Sequence, residues 1–439
     1  MDLLTKYKSL LNDFISFKSI STDANFSGQC KQTAEWLINL FNESGFETKL
    51  IEGFGNSLVY AEYNKDQSLE TCLIYGHYDV QPAAISDGWK SDPFTVYEEG
   101  SRIYARGIVD NKGQVLIHIA NVLSLIESGN LKYNIKFIIE GDEESGSEEI
   151  EKFFEEHASI LKSDFVLISD GELTMGHPTI DIGFRGIINS TLELTTSAKD
   201  NHSGLYGGSI PNAANVLSQI LSKMHDEKGV LRLPGLNNNP EVSDEIIQNN
   251  LNIPFYYDEF KSNTGAKVRL NENNIDFYTQ VGVITSAEVT SLTSGYLGEG
   301  YRNAIPGKAI AKINFRLSPF HKTEELESAF TNFLKVAVPE FAEFKITFDQ
   351  KSEAINLKEE SDYISQAKVL LKDIYGKESF YRYCGAIVPI AGLFKQYLKI
   401  PVLDIGLGNE DCNMHGANEN FEIETLKRGL EFSSKFLGR

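Results

Sequence analysis

The chain has 439 residues, 41% of them hydrophobic and 23% charged, which is the composition of a globular protein long enough for two cores. Its formal net charge of −21 argues against the basic surface that nucleic-acid binding uses. Cys30, Cys72, Cys384 and Cys412 form no CxxC pair, so a reducing compartment, the cytoplasm, is expected.

At the N-terminus, Leu3, Leu4, Tyr7, Leu10, Leu11, Phe14 and Ile15 recur at helical spacing and predict an amphipathic helix. Asp2, Lys6, Lys8 and Asp13 interrupt it, so no secretory leader is expected, and no apolar run reaches the length of a membrane span. TCLIY (71–75) reads as a buried strand ended by Gly76, after which His77 and Asp79 fall on the same side of an extended backbone. Such a pair is either a surface turn with two polar residues or a metal-binding imidazole backed by a carboxylate. KGQVLIHIANVLSLIESG predicts a helix opened by Asp110 and closed by Gly129, with His118 on its packed face. YNIKFIIE and DFVLIS read as further strands. This alternation predicts an α/β layer of mostly parallel strands.

After Arg185 the pattern changes. TLELTTSA, AIAKINFRLSP and FKITF alternate polar and apolar residues, and AANVLSQILSKMHD and TEELESAFTNFLKVAV carry helical periodicity. A smaller α+β unit is predicted there. The Asn-, Asp-, Glu- and Pro-rich stretch 226–275 reads as loops and short helices. From about residue 358 the α/β pattern returns with SDYISQAKVLLKDIYG and IPVLDIG. The expected organisation is a discontinuous α/β domain, residues 1–187 and 356–439, carrying an inserted α+β domain, residues 188–355. His157, His225 and His321 lie in charged helical or loop segments and read as solvated.

Imidazoles and acids gather after the strands of the α/β pattern. His77 and Asp79 follow TCLIY, Glu143 and Glu144 follow YNIKFIIEG, Asp170 ends DFVLISD, and His415 follows PVLDIG in NMHGANE. Asp110 opens the long helix. Ligands of open α/β sheets bind at the carboxyl ends of the strands, so these groups are predicted to converge. Two imidazoles and three carboxylates suffice for a metal site, and acids so close need cations between them. Two divalent ions sharing one carboxylate meet that need, and mixed nitrogen and oxygen ligation suits zinc, with cobalt and manganese as substitutes.

The run from YGHYDVQP through DGWKSDPFTVYEEGSRIYARGIVDNKGQ to EGDEESGSEE resembles the co-catalytic dizinc peptidases. That family includes carnosine and other cytosolic dipeptidases, aminoacylases, glutamate carboxypeptidase and succinyl-diaminopimelate desuccinylase. DVQP, DGW, PF and EESGS are most similar to the dipeptidase branch, and the likeness is densest between residues 73 and 186. The resemblance implies that His77 and Asp170 hold one ion, Glu144 and His415 the other, and Asp110 bridges them. It implies Asp79 as the acceptor behind His77, Glu143 as general base and a cis peptide after Asp110. AKDNHSGLYGGSIPNAA resembles a lid stretch whose His, here His202, meets the oxyanion, in dimeric members from the partner chain. YRNAIPGKAIAKINFRLSP resembles another, implying Asn303 near the scissile group and Arg316 on a substrate carboxylate. The branch's Gly-Gly-Ser-Ile-Pro loop is altered to RYCGAIVPI (382–390), which keeps Gly385 for substrate contact and puts Ala386 or Ile387 where the Ser would be.

The expected activity is metal-dependent hydrolysis of dipeptides or small peptides. The expected alternative is a deacylase of N-acyl amino acids or succinyl-diaminopimelate. A third reading is an inactive binding protein of the same fold, against which the intact Glu143 argues. The expected partners are such a substrate and a second copy of the chain, with no nucleic acid and no membrane.

Overall fold

The computed structural model describes residues 2–227, 229–236, 242–267, 276–385 and 388–439. Four apolar runs lie side by side as parallel strands in the order Asn134–Glu140, Thr71–His77, Phe165–Ile168 and Val402–Ile405. Their side chains are buried on both faces, which is why these runs are continuously apolar rather than alternating. The flanks of the sheet are antiparallel: Leu58–Tyr63 pairs with Asn134–Glu140, Glu47–Ile51 with Leu58–Tyr63, and Thr179–Phe184 with Val402–Ile405. The sheet is therefore mixed, where mostly parallel strands were predicted. The residues between Ile51 and Leu58 are too few for a helical crossover, and only an antiparallel neighbour is open to so short a connection.

The strand at Thr71 does not stop at Gly76 but runs through it to His77. A Cβ at Gly76 would fall 2.5 Å from Val115 Cγ2 and 2.7 Å from Asn111 Oδ1. The glycine thus lets the strand lie against the start of the helix Lys112–Glu127 instead of breaking the strand. That helix is buried from Lys112 through Leu123, since the helices Leu3–Ser16 and Ile423–Leu437 pack on it. Asp2 caps the first of these through Thr5 N at 3.1 Å. Two further helices of this unit, Ser27–Glu43 and Ile423–Leu437, stand outside the elements expected from the sequence.

By its internal contacts the chain divides into two units, one comprising Met1–Ile182, Leu357–Tyr381 and Ile390–Arg439, the other Gly183–Asn356 and Arg382–Pro389. The second unit is an antiparallel sheet in the order Ser286–Ser294, Lys308–Leu317, Gly186–Thr195 and Glu343–Ser352. Ala309, Ala311, Ile313, Phe315 and Leu317 alternate inward and pack with Ile188, Leu192 and Leu194 against the helices Ala213–Ser222 and Thr323–Ala337. The described part of the 226–275 stretch contains the helices Asp244–Asn252 and Tyr257–Thr264. Arg382–Pro389, read from the sequence as part of the returning α/β domain, groups with the second unit instead. Tyr383 packs against Gly183 and Gly282, and Arg185 N donates to Cys384 O at 3.2 Å. Ala386 and Ile387 lie outside the described residues. His321 is buried beside Thr285, its Nδ1 3.0 Å from Oγ1, and is not the solvated residue expected.

Candidate metal centre

The parallel strands deliver their side chains to one rim. His77 ends its strand, and Glu140, its register neighbour, ends the next. The short turn Glu143–Ser145 follows Glu140, and Asp170 follows the strand Phe165–Ile168. His415 comes from a loop in which Asn413, His415 and Asn418 all have positive φ, near 60°, a region few non-glycine residues occupy.

These groups form two triads with one shared member. His77, Asp110 and Asp170 offer ligand atoms within 4.8 Å of one another, and so do Asp110, Glu144 and His415. His77 Nε2 stands 3.0 Å from Asp110 Oδ1 and 3.6 Å from Asp170 Oδ2. His415 Nε2 stands 2.8 Å from Asp110 Oδ2 and 3.3 Å from Glu144 Oε2. The two oxygens of Asp110 thus face different imidazoles. The Asp110–Asn111 peptide bond is cis.

The donor set fits a pair of divalent cations, because each triad presents one imidazole nitrogen and two carboxylates, as a catalytic zinc site with an open position does. The electrostatics agree. Burial works to lower the His77 pKa, but Asp110, Asp170 and Asp79 outweigh it and hold it well above the ordinary value. Asp110 and Glu144 raise His415 to about 10. The cluster of acids therefore favours positive charge among its members. Burial raises the Asp170 carboxyl, and raises Glu143 well above the usual range with help from Asp170 and Asp110, against the pull of His77.

Asp79 is placed differently from the simple acceptor expected. His77 Nδ1 is 3.0 Å from the Asp79 carbonyl oxygen and 3.4 Å from Oδ1. A proton on Nδ1 donated there leaves Nε2 as the atom aimed into the site. The Asp79 carboxylate accepts the backbone N–H groups of Glu143 at 3.2 Å and Glu144 at 3.0 Å. It orders the turn that carries both acids.

Four supporting residues escaped the sequence reading. Asn111 Oδ1 accepts His77 N at 3.3 Å, and its Nδ2 donates to Ser169 O at 2.7 Å. Gln81 Nε2 donates to Glu144 Oε2 at 2.7 Å. Glu419, fully buried, pairs with Arg106 at 2.8 Å and accepts N–H groups of Gly107, Val109 and Asp110. The only signal for Glu419 was its position four residues beyond His415. Cys412 is not a candidate ligand: its Sγ donates to Glu172 Oε1 at 2.7 Å. His118 is buried between Ser169 and Ser433.

The remaining expected site residues belong to the second unit. His202 is exposed and pairs with Ala304 across a short strand bridge, with Ser203 N donating to Asn303 O at 3.0 Å. His202 Nδ1 accepts from Gly204 N at 3.0 Å, so the neutral ring carries its proton on Nε2 as a donor. Asn303 is exposed, and Arg316 is half-buried on the strand Lys308–Leu317. Gly385 lies against Arg185, where a Cβ would come 3.2 Å from Nη2.

An α/β sheet whose strand ends bring together two imidazoles and three carboxylates, with a further carboxyl beside them, defines a metal-dependent hydrolase. The sequence model of Peptidase family M20/M25/M40 matches residues 73–439, and the chain belongs to that family. It is 26% identical to the Cys-Gly metallodipeptidase DUG1 of Candida albicans, covering 99% of this chain and 95% of that protein. It is 28% identical to the Beta-Ala-His dipeptidase of Homo sapiens over 86% of this chain and 76% of that one. Among solved structures, the M20 family metallo-carboxypeptidase Sso-CP2 from Sulfolobus solfataricus superposes with a TM-score of 0.81 at 27% identity, over 100% of this chain and 99% of that chain.

Proposed function

We propose that this peptidase is a dipeptidase that cleaves small peptides with a free terminal carboxylate, using two divalent ions held by His77 and Asp170, by Glu144 and His415, and by Asp110 in common. The observation that carries the reading is the division of the Asp110 oxygens between the two imidazoles. Zinc suits this donor set, with cobalt and manganese as substitutes. When bound, such ions bring the pKa of water to about 7 and polarise a carbonyl.

Glu143 is the proton carrier in this reading. Its Oε2 lies 3.9 Å from His77 Nε2, beside the first triad and a member of neither. As a carboxylate it takes a proton from the attacking water and returns it to the amine nitrogen as the carbon–nitrogen bond breaks. His77 stays in its productive tautomer through Asp79, and Asn111 and Glu419 hold the Asp110 loop. His202 offers an Nε2–H for the developing oxyanion, Asn303 a contact near the scissile group, and Arg316 with the Gly385 loop a seat for the terminal carboxylate.

A homodimer through the second unit belongs to the same reading. The strand Ser286–Ser294 is a sheet edge with Val289 and Leu292 exposed, and Leu297 and Tyr301 beyond it are exposed as well. Pairing with a second copy would cover that edge and bring His202 to the partner's reaction centre. Four cysteines without a disulfide suit a reducing, cytoplasmic setting.

A second reading follows from the likeness to the carboxypeptidase: removal of the last residue from longer peptides. Both are tested by one screen of purified protein, stripped and reloaded with zinc, cobalt or manganese, against dipeptides, N-blocked dipeptides, and N-acetyl and N-succinyl amino acids. Turnover of free dipeptides above the rest supports the dipeptidase. Preference for N-blocked peptides would favour the carboxypeptidase, and preference for acyl amino acids would replace both with the deacylase.

A further inference from the structure

Arg185 has no role in the reading above, yet its surroundings are unusual. It lies between the strands Thr179–Phe184 and Gly186–Thr195. Its Nη1 reaches Ser286 Oγ at 3.3 Å, and its Nε is buried with no hydrogen-bond partner. Ser286 is the register neighbour of Arg316 in the sheet, so their side chains share one face. The serine that Arg185 reaches is thus the cross-strand neighbour of a second arginine, whose charge is felt at Arg185. Among the described residues, neither arginine has a carboxylate within ion-pair distance. Burial first and Arg316 second lower the Arg185 pKa to about 10, with Cys384 and Glu288 offsetting them only in part. Two like charges drawn together, one of them largely desolvated, are costly unless an anion joins them.

Gly385 completes the arrangement. A Cβ there would meet Val281 O at 2.9 Å and Arg185 Nη2 at 3.2 Å. The glycine lets the backbone run directly over the guanidinium. A structural arginine in this position would be expected to bond that backbone or a nearby acid, and the one described side-chain bond is the long contact to Ser286.

We propose that Arg185 is a second guanidinium of the carboxylate seat, binding the terminal carboxylate of the peptide jointly with Arg316 and so determining selectivity for free-acid over amidated substrates. The proposal rests on the peptidase reading. A single carboxylate shared by two planar forks satisfies the charge of both and fixes the end of the peptide in orientation as well as position.

The test compares a dipeptide ending in glycine with the same dipeptide as its glycine amide, for wild type, Arg185→Met and Arg185→Lys, with metal content measured in each. Wild type should favour the free acid. Arg185→Met should raise KM for the free acid about tenfold or more, as loss of a charge-assisted hydrogen bond does, and leave kcat and the amide unchanged. Arg185→Lys, which keeps the charge but not the fork, should fall between. It decides the matter alone if the methionine variant does not fold. Equal losses on acid and amide in a folded variant would make Arg185 a structural residue and overturn the proposal. An effect confined to peptides with an acidic last side chain would assign Arg185 to that side chain and overturn it too. Wild type that turns over neither peptide would instead refute the peptidase reading.

Discussion

Asp79 Oδ2 accepts the backbone N–H of Glu144 at 3.0 Å, while the same residue's carbonyl oxygen lies 3.0 Å from His77 Nδ1. One residue thus ties the first triad to the turn bearing the second. Replacing Asp79 with Ala keeps the carbonyl behind His77 but removes the carboxylate that orders the Glu143–Glu144 turn, and should lower metal affinity at the position of Glu144 and His415 by about 10–100-fold, the usual effect of removing a group that orients ligands. Competition with a chelator measures it. Affinity equal to wild type would remove Asp79 from the site.

Asp110 should be the one residue whose loss empties both positions. Wild type is expected to hold two ions per chain, Asp170→Ala or His415→Ala about one, and Asp110→Ala none. Elemental analysis after gel filtration reads the series. Two ions retained by Asp110→Ala would refute the shared carboxylate.

Glu143→Gln should keep metal content and thermal stability and lower kcat by about 10²–10⁴-fold, because it removes a proton carrier and no ligand. Near-normal turnover in a metal-replete variant would assign the base elsewhere.

If His202 serves the neighbouring chain, two inactive variants should complement. In an exchanged mixture of His202→Ala and Glu143→Ala chains, the mixed dimer holds one site with an intact Glu143 and an intact partner His202. Activity should recover toward about a quarter of wild type for random pairing of equal amounts. Proven subunit exchange without recovery, or a monomer at working concentration, would confine His202 to its own chain or to no role.

His118 should make the protein sensitive to acid. Burial lowers its pKa from 6.5 to about 3, so between these values the unfolded chain binds the extra proton and the folded chain does not. Its contribution to stability is whole above pH 6.5, is lost progressively as the pH falls toward 3, and levels off below. The loss is on the order of a few kcal/mol. Chemical denaturation of metal-free wild type and His118→Gln at pH 7 and pH 4.5 should show a smaller drop in the variant. Parallel drops would place the sensitivity in other groups.

The main strands, the long helix and the gathering of imidazoles and acids after the strands were legible in the sequence because each is a local pattern. Buried parallel strands need unbroken apolar runs, and the imidazole and acids of the candidate site sit at short offsets from their ends: His77 and Asp79 at one strand, Glu143 and Glu144 after the next, Asp170 after the third. The tertiary structure decided what depends on residues far apart in the chain. Glu419 pairs with Arg106 across 313 positions, and a lone buried carboxylate has no local signal. Gly76 looked like a strand end because the helix start that packs on it, with Asn111 and Val115, is remote in sequence. The antiparallel flanks depend on strand pairing, which local periodicity does not encode. Arg185 stood at a change of pattern and carried no motif. Its meaning comes from its contact with Ser286, the cross-strand neighbour of Arg316, which only the pairing of the strands Ser286–Ser294 and Lys308–Leu317 brings about.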